Sequence, residues 1–458
     1  MKRTYSIITF GCQMNKNDSE LMAGLLEAKG YEASPEPMKG DVILLNTCSV
    51  RERAELRAQG YLGHLKSLKK QNPHAIIGVM GCAAEREGEE WQKRAPFVDM
   101  VIGPNKIHKL PELLEFVEQG GGRAIAVGHD EPMDYGCLPV KRDKTINAWV
   151  TIMYGCNKFC TYCIVPFTRG RERSREMESL LDEVRALDKS VSKEVTFLGQ
   201  IVDNYGHDLG KGYGLGELLR EANKIEGLER IRFLTSYPKT MDPGIIDAVA
   251  ECEKVCEYIH LPVQAGDDEL LRRMNRGYTV DQYRAIADSI RARIPGCALT
   301  SDIIVGFPGE TDAQFQSSCD LIEEMSFDTV NTAAYSPRPG TVAARMEDQV
   351  PADVKKTRLQ QINAVVEKTA LRVNTKSVGD TVEILVESLT ADGRLKGRTR
   401  TNKIVLVDAS GFSEAFIGKM VQTKIRAAGS WGLWGVEAGQ KETNQPGRKM
   451  AYLPASSI

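Results

Sequence analysis

Residues 155–163 read Gly-Cys-Asn-Lys-Phe-Cys-Thr-Tyr-Cys, so one short loop contains three cysteines, Cys156, Cys160 and Cys163. A strand-like run, 149–154, ends just before this loop. Three thiolates are one too few for a closed tetrahedral zinc site or for a fully ligated four-iron cluster. The spacing therefore predicts an iron–sulfur cluster that keeps one iron open to bind something else. A thioredoxin-like pair of Cys160 and Cys163 is the alternative, but it leaves Cys156 without a role.

Composition limits the class of protein. The chain has 458 residues, 42% of them apolar and 27% charged, which predicts a soluble protein of two to four domains. Its net charge is −2, so any surface for nucleic acid must be local. No stretch has the length of a signal peptide core or a membrane helix, and we expect a cytoplasmic protein. Eleven cysteines in a reducing compartment favour metal or redox chemistry over disulfides.

Three further cysteines follow a repeated pattern near the N-terminus. Strand-like runs at 5–9, 42–46 and 76–80 lead into Cys12, Cys48 and Cys82, with helical patterns between them. This alternation predicts an N-terminal parallel α/β domain, which we place at 1–125. Carboxyl ends of parallel strands share one edge, where ligands bind. The pattern favours a second three-cysteine cluster over three ordinary buried thiols, and a zinc site lacks a fourth ligand.

A central domain is expected at 146–350, after a linker at 126–145. Six strand-like runs separated by helical segments predict a partial (βα)6 barrel, whose active site lies at the carboxyl ends of the strands. The three-cysteine loop follows the first of these runs. Four further residues at strand ends are candidate cofactor contacts, although turn chemistry alone also explains them: Gly199, Gln200, Gln264 and Gly306.

The segment 169–175 contains four arginines. It is either a solvated loop or a clamp for nucleic-acid phosphates or a cofactor carboxylate, and the sequence leaves the choice open.

The C-terminal part changes character. A connecting helix is predicted at 351–373, then a small antiparallel β-barrel at 374–437 and a polar tail at 438–458. From residue 374 to the end there are 12 Lys and Arg against 8 Asp and Glu. Basic residues on such a barrel suggest an RNA surface, whereas the alternative is an ordinary solvated face. The candidate RNA contacts are Arg398, Arg400, Lys403 and Lys424.

To about residue 437 the chain resembles the methylthiotransferase family. The stretches that carry the resemblance are Gly-Cys-Gln-Met-Asn at 11–15, Leu-Asn-Thr-Cys-Ser-Val-Arg-Glu at 45–52, Gly-Cys-Ala at 81–83, the loop 155–163, Pro-Phe-Thr-Arg-Gly at 166–170 and Gly-Arg-Thr-Arg-Thr-Asn-Lys at 397–403. It is closest to the tRNA-modifying branch. The resemblance implies an α/β architecture of an N-terminal cluster domain, a radical-SAM barrel and an RNA-binding TRAM domain.

The resemblance also implies the chemistry. Cys156, Cys160 and Cys163 would hold a 4Fe–4S cluster that binds and reduces S-adenosyl-L-methionine, with electrons from a donor such as flavodoxin or ferredoxin. The first three cysteines would hold an auxiliary 4Fe–4S cluster that carries sulfur. The substrate would be N6-isopentenyl-adenosine at position 37, in the anticodon stem-loop of tRNA, and the product its 2-methylthio derivative. No long apolar strip argues for an oligomer, so we expect a monomer.

Other functions stay open from the sequence. Sister branches of the family act on threonylcarbamoyl-adenosine in tRNA or on an aspartate of a ribosomal protein. A non-enzymatic iron–sulfur RNA-binding module would explain the clusters and the basic barrel, but not three-ligand spacing at both sites. In a further alternative, the second cluster only relays electrons.

Overall fold

The computed structural model describes residues 3–50, 52–129, 138–142, 145–408 and 413–439. The chain divides into two compact units. The first comprises Met1–Ala186, Phe197–Gly212 and Arg338–Thr341, and the second comprises Leu187–Thr196, Tyr213–Pro337 and Val342–Ile458. The predicted linker at 126–145 and tail at 438–458 lie partly outside the described residues.

The first part of the chain alternates strands and helices. Its strands are β1 (Thr4–Thr9), β2 (Glu32–Ala33), β3 (Val42–Thr47), β4 (Ile76–Gly81), β5 (Met100–Ile102), β6 (Ala124–Ala126), β7 (Asn147–Thr151), β8 (Met153–Tyr154) and β9 (Arg173–Ser174). Its helices are α1 (Gln13–Ala28), α2 (Glu52–Gln71), α3 (Cys82–Glu87), α4 (Glu89–Arg94), α5 (Leu110–Glu118), α6 (Val165–Arg169) and α7 (Met177–Arg185).

The rest of the chain continues the alternation and then turns to strands alone. Its strands are β10 (Glu194–Leu198), β11 (Arg230–Phe233), β12 (Tyr258–His260), β13 (Ala298–Val305), β14 (Thr329–Ala334), β15 (Thr381–Leu389), β16 (Leu395–Thr399), β17 (Ile404–Asp408), β18 (Met420–Gly429) and β19 (Gly432–Glu437). Its helices are α8 (Leu215–Asn223), α9 (Pro243–Glu251), α10 (Asp268–Arg273), α11 (Val280–Arg293), α12 (Asp312–Met325) and α13 (Ala352–Thr375).

The N-terminal sheet is parallel, in the order β2-β1-β3-β4-β5-β6. Every residue of β3 and β4 is buried, because helices cover both faces, and these strands are therefore almost continuously apolar. Between β1 and β4 the register sets Ile8 beside Leu45 and Leu45 beside Val79. The predicted parallel α/β fold is confirmed here.

Strand β7, which precedes the cysteine loop, is joined to the N-terminal part of the first unit. The Asn17 side chain on α1 donates to the Trp149 carbonyl at 3.3 Å and accepts from the Thr151 hydroxyl at 2.7 Å. On its other side, the end of β10 lies close, and the Ile152 N–H donates to the Leu198 carbonyl at 2.8 Å. These bonds hold β7 in place, and β7 continues through β8 into the cysteine loop.

The strands expected for the central barrel are all present. Strand β7 belongs to the first unit. In the second unit β11 lies beside the start of β10, and β12, β13 and β14 form a parallel sheet. Helix α13 follows and packs along β14. Within the described residues, no helix is long and apolar enough to span a membrane.

The C-terminal strands close into a five-stranded barrel, in the order β15-β16-β17-β19-β18. The predicted small antiparallel barrel is confirmed, since four of its five strand pairs are antiparallel. The fifth pair, β17 and β19, is parallel, with Val405 beside Leu433. The reason is geometric, because a closed ring with an odd number of strands cannot alternate direction at every step. The barrel interior is apolar, with Ile384, Val405 and Ile425 at its centre.

Candidate functional site

The three N-terminal cysteines lie at one edge of the parallel sheet. Cys12 follows β1 and precedes α1, Cys48 follows β3, and Cys82 begins α3 directly after β4. Strands β1, β3 and β4 are neighbours, so their carboxyl ends bring the three thiols together. Cys48 and Cys82 are buried, and Cys12 is half-buried.

Glycines place two of these cysteines. Gly11 has φ +134° and Gly81 has φ +90°, which are left-handed conformations that side chains rarely adopt. A β-carbon on Gly11 would stand 2.7 Å from the β-carbon of Cys48, and one on Gly81 would stand 2.5 Å from the Thr47 carbonyl oxygen. The strand ends approach one another too closely for any other residue at these two positions.

A buried amide network, which our sequence interpretation missed, holds the same edge together. The Asn15 amide nitrogen donates to the Asn46 side-chain oxygen at 3.2 Å and to the Thr47 carbonyl at 3.1 Å. Its oxygen accepts from the Cys12 N–H at 3.3 Å. The Asn46 amide nitrogen in turn donates to the Asn15 carbonyl at 2.8 Å. The available signal was Asn46, near the end of the apolar and buried strand β3, because a buried polar side chain needs a hydrogen-bond partner.

The loop 155–163 follows β8 in the same compact unit. Gly155 has φ +74°, and a β-carbon there would overlap the Arg171 carbonyl oxygen. The Cys156 N–H donates to the Gly170 carbonyl at 3.0 Å, and the Cys163 N–H donates to the Cys160 carbonyl at 2.9 Å. These bonds fold the loop tightly before α6. Cys156 and Cys160 are buried, whereas Cys163 is half-buried.

An ion pair that the sequence did not predict joins α1, the helix that follows Cys12, to α6, the helix that follows Cys163. Arg169 ends α6, six residues after Cys163, and its Nη2 lies 2.6 Å from Oδ2 of Asp18 on α1. Both side chains are buried, at 3% and 1% exposure. Burial alone would lower the pKa of Arg169, but Asp18 and the nearby thiols of Cys82 and Cys12 raise it well above its usual value. Among the described residues, its Nη1 has no hydrogen-bond partner.

Each cysteine set supplies three thiols, the ligand type that iron–sulfur clusters use. In the described part of the chain, no three His, Cys, Asp or Glu side chains converge tightly enough to hold one metal ion. A four-iron cube is wider than one ion, and its ligands are thiolates. Burial raises the pKa of Cys82 and of Cys156 to about 11 in each case, so these thiols are neutral without a metal. Metal coordination deprotonates such thiols outright.

The four candidate cofactor contacts lie in two places. Gly199 and Gln200 follow β10 in the first unit, where Gly199 packs on Met153 and the Gln200 amide lies 2.6 Å from the Met14 sulfur. Gln264 and Gly306 lie in the second unit and both have positive φ. The Gly306 N–H donates to the Glu310 carboxylate at 2.7 Å. Their role in cofactor binding stays a prediction.

The basic residues of the C-terminal barrel differ in what surrounds them. Arg400 binds Glu257 through two nitrogens at 2.7 and 2.8 Å, and Lys403 lies 2.8 Å from Asp328. Both pairs join the C-terminal barrel to the preceding sheet of the second unit. Arg398 is half-buried and pairs with Glu387 at 3.0 Å. Lys424, in contrast, is exposed and forms no ion pair with any described residue.

Comparisons with known families match three parts of the chain. The model described as Uncharacterized protein family UPF0004 matches residues 4–103, that of the Radical SAM superfamily matches 150–322, and that of the TRAM domain matches 375–435.

Relatives match almost the whole chain. Three are named tRNA-2-methylthio-N(6)-dimethylallyladenosine synthase. The protein from Acetivibrio thermocellus is 45% identical over 95% of this chain and 91% of its own. The protein from Carboxydothermus hydrogenoformans is 45% identical over 95% and 99%, and the one from Moorella thermoacetica is 43% identical over 95% and 98%.

Solved structures share the fold at low identity. The radical S-adenosylmethionine methyltransferase TsrM from Kitasatospora setae has a TM-score of 0.54 at 15% identity, covering 75% of this chain and 74% of its own. The cobalamin-dependent S-adenosylmethionine radical enzyme OxsB has a TM-score of 0.53 at 13% identity, covering 80% and 56%. At these identities the likeness concerns the fold alone.

Proposed function

This chain belongs to the methylthiotransferase family of tRNA-2-methylthio-N(6)-dimethylallyladenosine synthases, and we propose that it methylthiolates C2 of N6-isopentenyl-adenosine at position 37 of tRNA. The observation that carries the proposal is the match to relatives of that name, which extends over 95% of the chain at 45% identity. The sister activities, on threonylcarbamoyl-adenosine or on a ribosomal-protein aspartate, are the alternatives within the family.

The six cysteines are the residues to which we assign the chemistry. Cys156, Cys160 and Cys163 would hold one 4Fe–4S cluster, and Cys12, Cys48 and Cys82 would hold a second. Both sets belong to the same compact unit, which supports a shared reaction site. When bound, the clusters and S-adenosyl-L-methionine supply the one-electron chemistry, the sulfur and the methyl group. The protein's part is to hold three thiolates at each cluster and to leave one iron open.

Other residues of this chain position the reactants. Gly199, Gln200, Gln264 and Gly306 are assigned to S-adenosyl-L-methionine, since each follows the carboxyl end of a strand. Lys424 is assigned to RNA because it is exposed and has no acidic partner in the described chain. The pairs of Arg398, Arg400 and Lys403 favour an anchoring role for these three residues in the C-terminal barrel.

The proposal includes the setting of the reaction. Reduction of a radical-SAM cluster needs a one-electron donor, and a flavodoxin or ferredoxin is the class expected. Because the proposed substrate is tRNA, we propose that the enzyme is cytoplasmic and that it acts as a monomer on the anticodon stem-loop. A target base in a stem-loop is accessible when it is splayed out of the stack.

Nucleoside analysis of tRNA tests the activity. In a strain that lacks this gene and any paralogue, 2-methylthio-isopentenyl-adenosine should disappear and its isopentenyl precursor should accumulate. A plasmid copy should restore the product, whereas a copy with Cys156→Ala should not. Persistence of the product in the deletion strain would contradict the proposal. Loss of the 2-methylthio derivative of threonylcarbamoyl-adenosine instead would move the assignment to the sister branch.

A further inference from the structure

Two phenylalanines beside the radical-SAM cysteines are exposed. Phe159 lies within the loop, between Cys156 and Cys160, and Phe167 lies on α6 directly after it. Their side chains are 38% and 51% exposed. The rings meet edge to face, with centroids 6.3 Å apart and an interplanar angle of 80°. Contiguous exposed apolar surface beside polar residues is typical of interaction sites, whereas a single exposed apolar side chain needs no explanation.

The backbone of Phe159 adds a second observation. Its φ is +47°, in the left-handed region that glycine enters freely and a bulky residue does not. Such a conformation is strained and is retained where the surroundings or the function require it. Glycine would relieve this strain, and the chain instead keeps an exposed aromatic ring there. The ring itself is therefore what the position provides.

A cation completes the surface. The Arg171 guanidinium lies over the Phe159 ring, 4.6 Å from its centroid, and Arg171 is exposed. The neighbouring Glu172 is engaged elsewhere, since it accepts from the Asn157 N–H at 3.1 Å and from the Asn204 amide at 2.9 Å. No carboxylate of the described chain forms an ion pair with Arg171. The positive charge is thus available to a phosphate.

We propose that Phe159, Phe167 and Arg171 form a stacking surface for a nucleotide that neighbours the target adenosine in single-stranded RNA. The inference rests on the proposed function, which supplies the RNA. Aromatic faces stack on unpaired bases, and arginine binds both the stacked base and the backbone phosphate. Because the surface includes the cysteine loop itself, a nucleotide held there keeps the adjoining base near the reaction site.

Binding of a synthetic anticodon stem-loop that contains isopentenyl-adenosine tests this surface. The probe carries a fluorophore, and its anisotropy is titrated with full-length, anaerobically reconstituted protein. Phe167→Ala and Phe159→Gly should each raise the Kd by about 5-fold or more, since one stacked base contributes about 1–3 kcal/mol to binding. Phe159→Gly keeps the left-handed backbone while it removes the ring. Phe116→Ala, at an exposed position on α5, is the matched control and should leave the Kd unchanged.

Salt dependence separates stacking from charge. Arg171→Gln should flatten the slope of log Kd against log salt by roughly 0.7, the value for one phosphate contact on a single strand. The two ring variants should keep the wild-type slope. Iron content of each variant, compared with wild type, monitors the cluster loop. If Phe159→Gly loses iron, Phe167→Ala decides the test by itself, because Phe167 lies outside the loop.

The outcomes distinguish this inference from the proposed function. Wild-type affinity in Phe167→Ala, with wild-type protein that still methylthiolates the stem-loop, would overturn the stacking surface and leave the proposed function intact. Weaker binding in the ring variants, with no methylthiolated product from any protein, would support the surface and refute the proposed function.

Discussion

At Gly155 a single methyl group is expected to disrupt a metal site. The residue has φ +74°, and its missing β-carbon makes room for the Arg171 carbonyl. Gly155→Ala should open the loop and reduce the iron content from about eight to about four atoms per chain, because one of the two proposed cubes is lost. Iron and sulfide analysis after anaerobic reconstitution measures this change. Gly30→Ala is the control, since Gly30 has φ +87° but nothing within 4 Å of an added β-carbon. A fully loaded Gly155→Ala protein would refute the argument.

The buried pair of Asp18 and Arg169 predicts a large effect on stability. Asp18→Asn removes the carboxylate and leaves a guanidinium in a site with 3% exposure. Breaking one partner of a buried pair costs about 3–5 kcal/mol, since the other charge stays desolvated. Denaturant unfolding of the metal-free protein should show this loss. The double variant Asp18→Asn with Arg169→Met should recover part of it, which a double-mutant cycle measures.

The control for that pair lies on the surface. Lys93 and Glu90 form an ion pair at 2.7 Å on α4, but both side chains are more than 60% exposed. Glu90→Gln should leave the unfolding free energy unchanged, because solvent screens exposed pairs. If Asp18→Asn and Glu90→Gln changed the unfolding free energy equally, burial would not explain the contribution of the Asp18–Arg169 pair to stability.

Sequence reasoning found the six cysteines but not the residues that support them. Cysteine spacing after strand-like runs is a local pattern, and so it can be read directly. The ion pair of Arg169 with Asp18 joins positions 151 residues apart, and the Asn15–Asn46 bond joins positions 31 apart. Nothing in the local sequence indicates which distant partner a buried polar side chain meets. These partners emerge only from the packed fold.

At the scale of elements, the C-terminal barrel separates two kinds of basic residue. Lys403→Gln should lower stability by roughly 1–3 kcal/mol, because Asp328 and the Asn374 side chain lose a half-buried charged partner at 2.8 Å. Its affinity for the stem-loop RNA should stay at the wild-type value. Lys424→Gln should do the reverse, with unchanged stability and a salt slope flatter by roughly 0.7. Thermal unfolding and anisotropy titrations on the same samples provide the measurement.

The opposite result has a clear meaning. If Lys403→Gln weakened RNA binding with no change in stability, the pair with Asp328 would not hold that side chain in solution. The sequence could not make this distinction, because a count of basic residues is silent about the acidic residues that they meet. Glu257 and Asp328 contact the barrel in space but lie far from it along the sequence, in the central part of the chain.

In the fold, too, some features follow from local sequence patterns and others only from the packing of the whole domain. Strand positions and parallel pairing follow from apolar runs alternating with helical segments, and these predictions are confirmed in the N-terminal sheet. The parallel pair of β17 and β19 does not follow from any run of residues. It results from closure of five strands into one ring, a property of the whole barrel.

At the scale of the whole molecule, the first compact unit contains both cysteine sets, and the separate roles proposed for them predict a separation of activities. Replacing Cys12, Cys48 and Cys82 by alanine should leave about four irons per chain. That protein should still cleave S-adenosyl-L-methionine to 5′-deoxyadenosine, because Cys156, Cys160 and Cys163 are intact, but it should form no methylthiolated RNA. Chromatography of both products gives the measurement.

Cys297→Ala, outside both sets, should keep about eight irons and full activity. Methylthiolation by the triple variant would show that a cluster held by the N-terminal cysteines is not the source of sulfur. Loss of cleavage would mean that the two sites depend on each other for their structure.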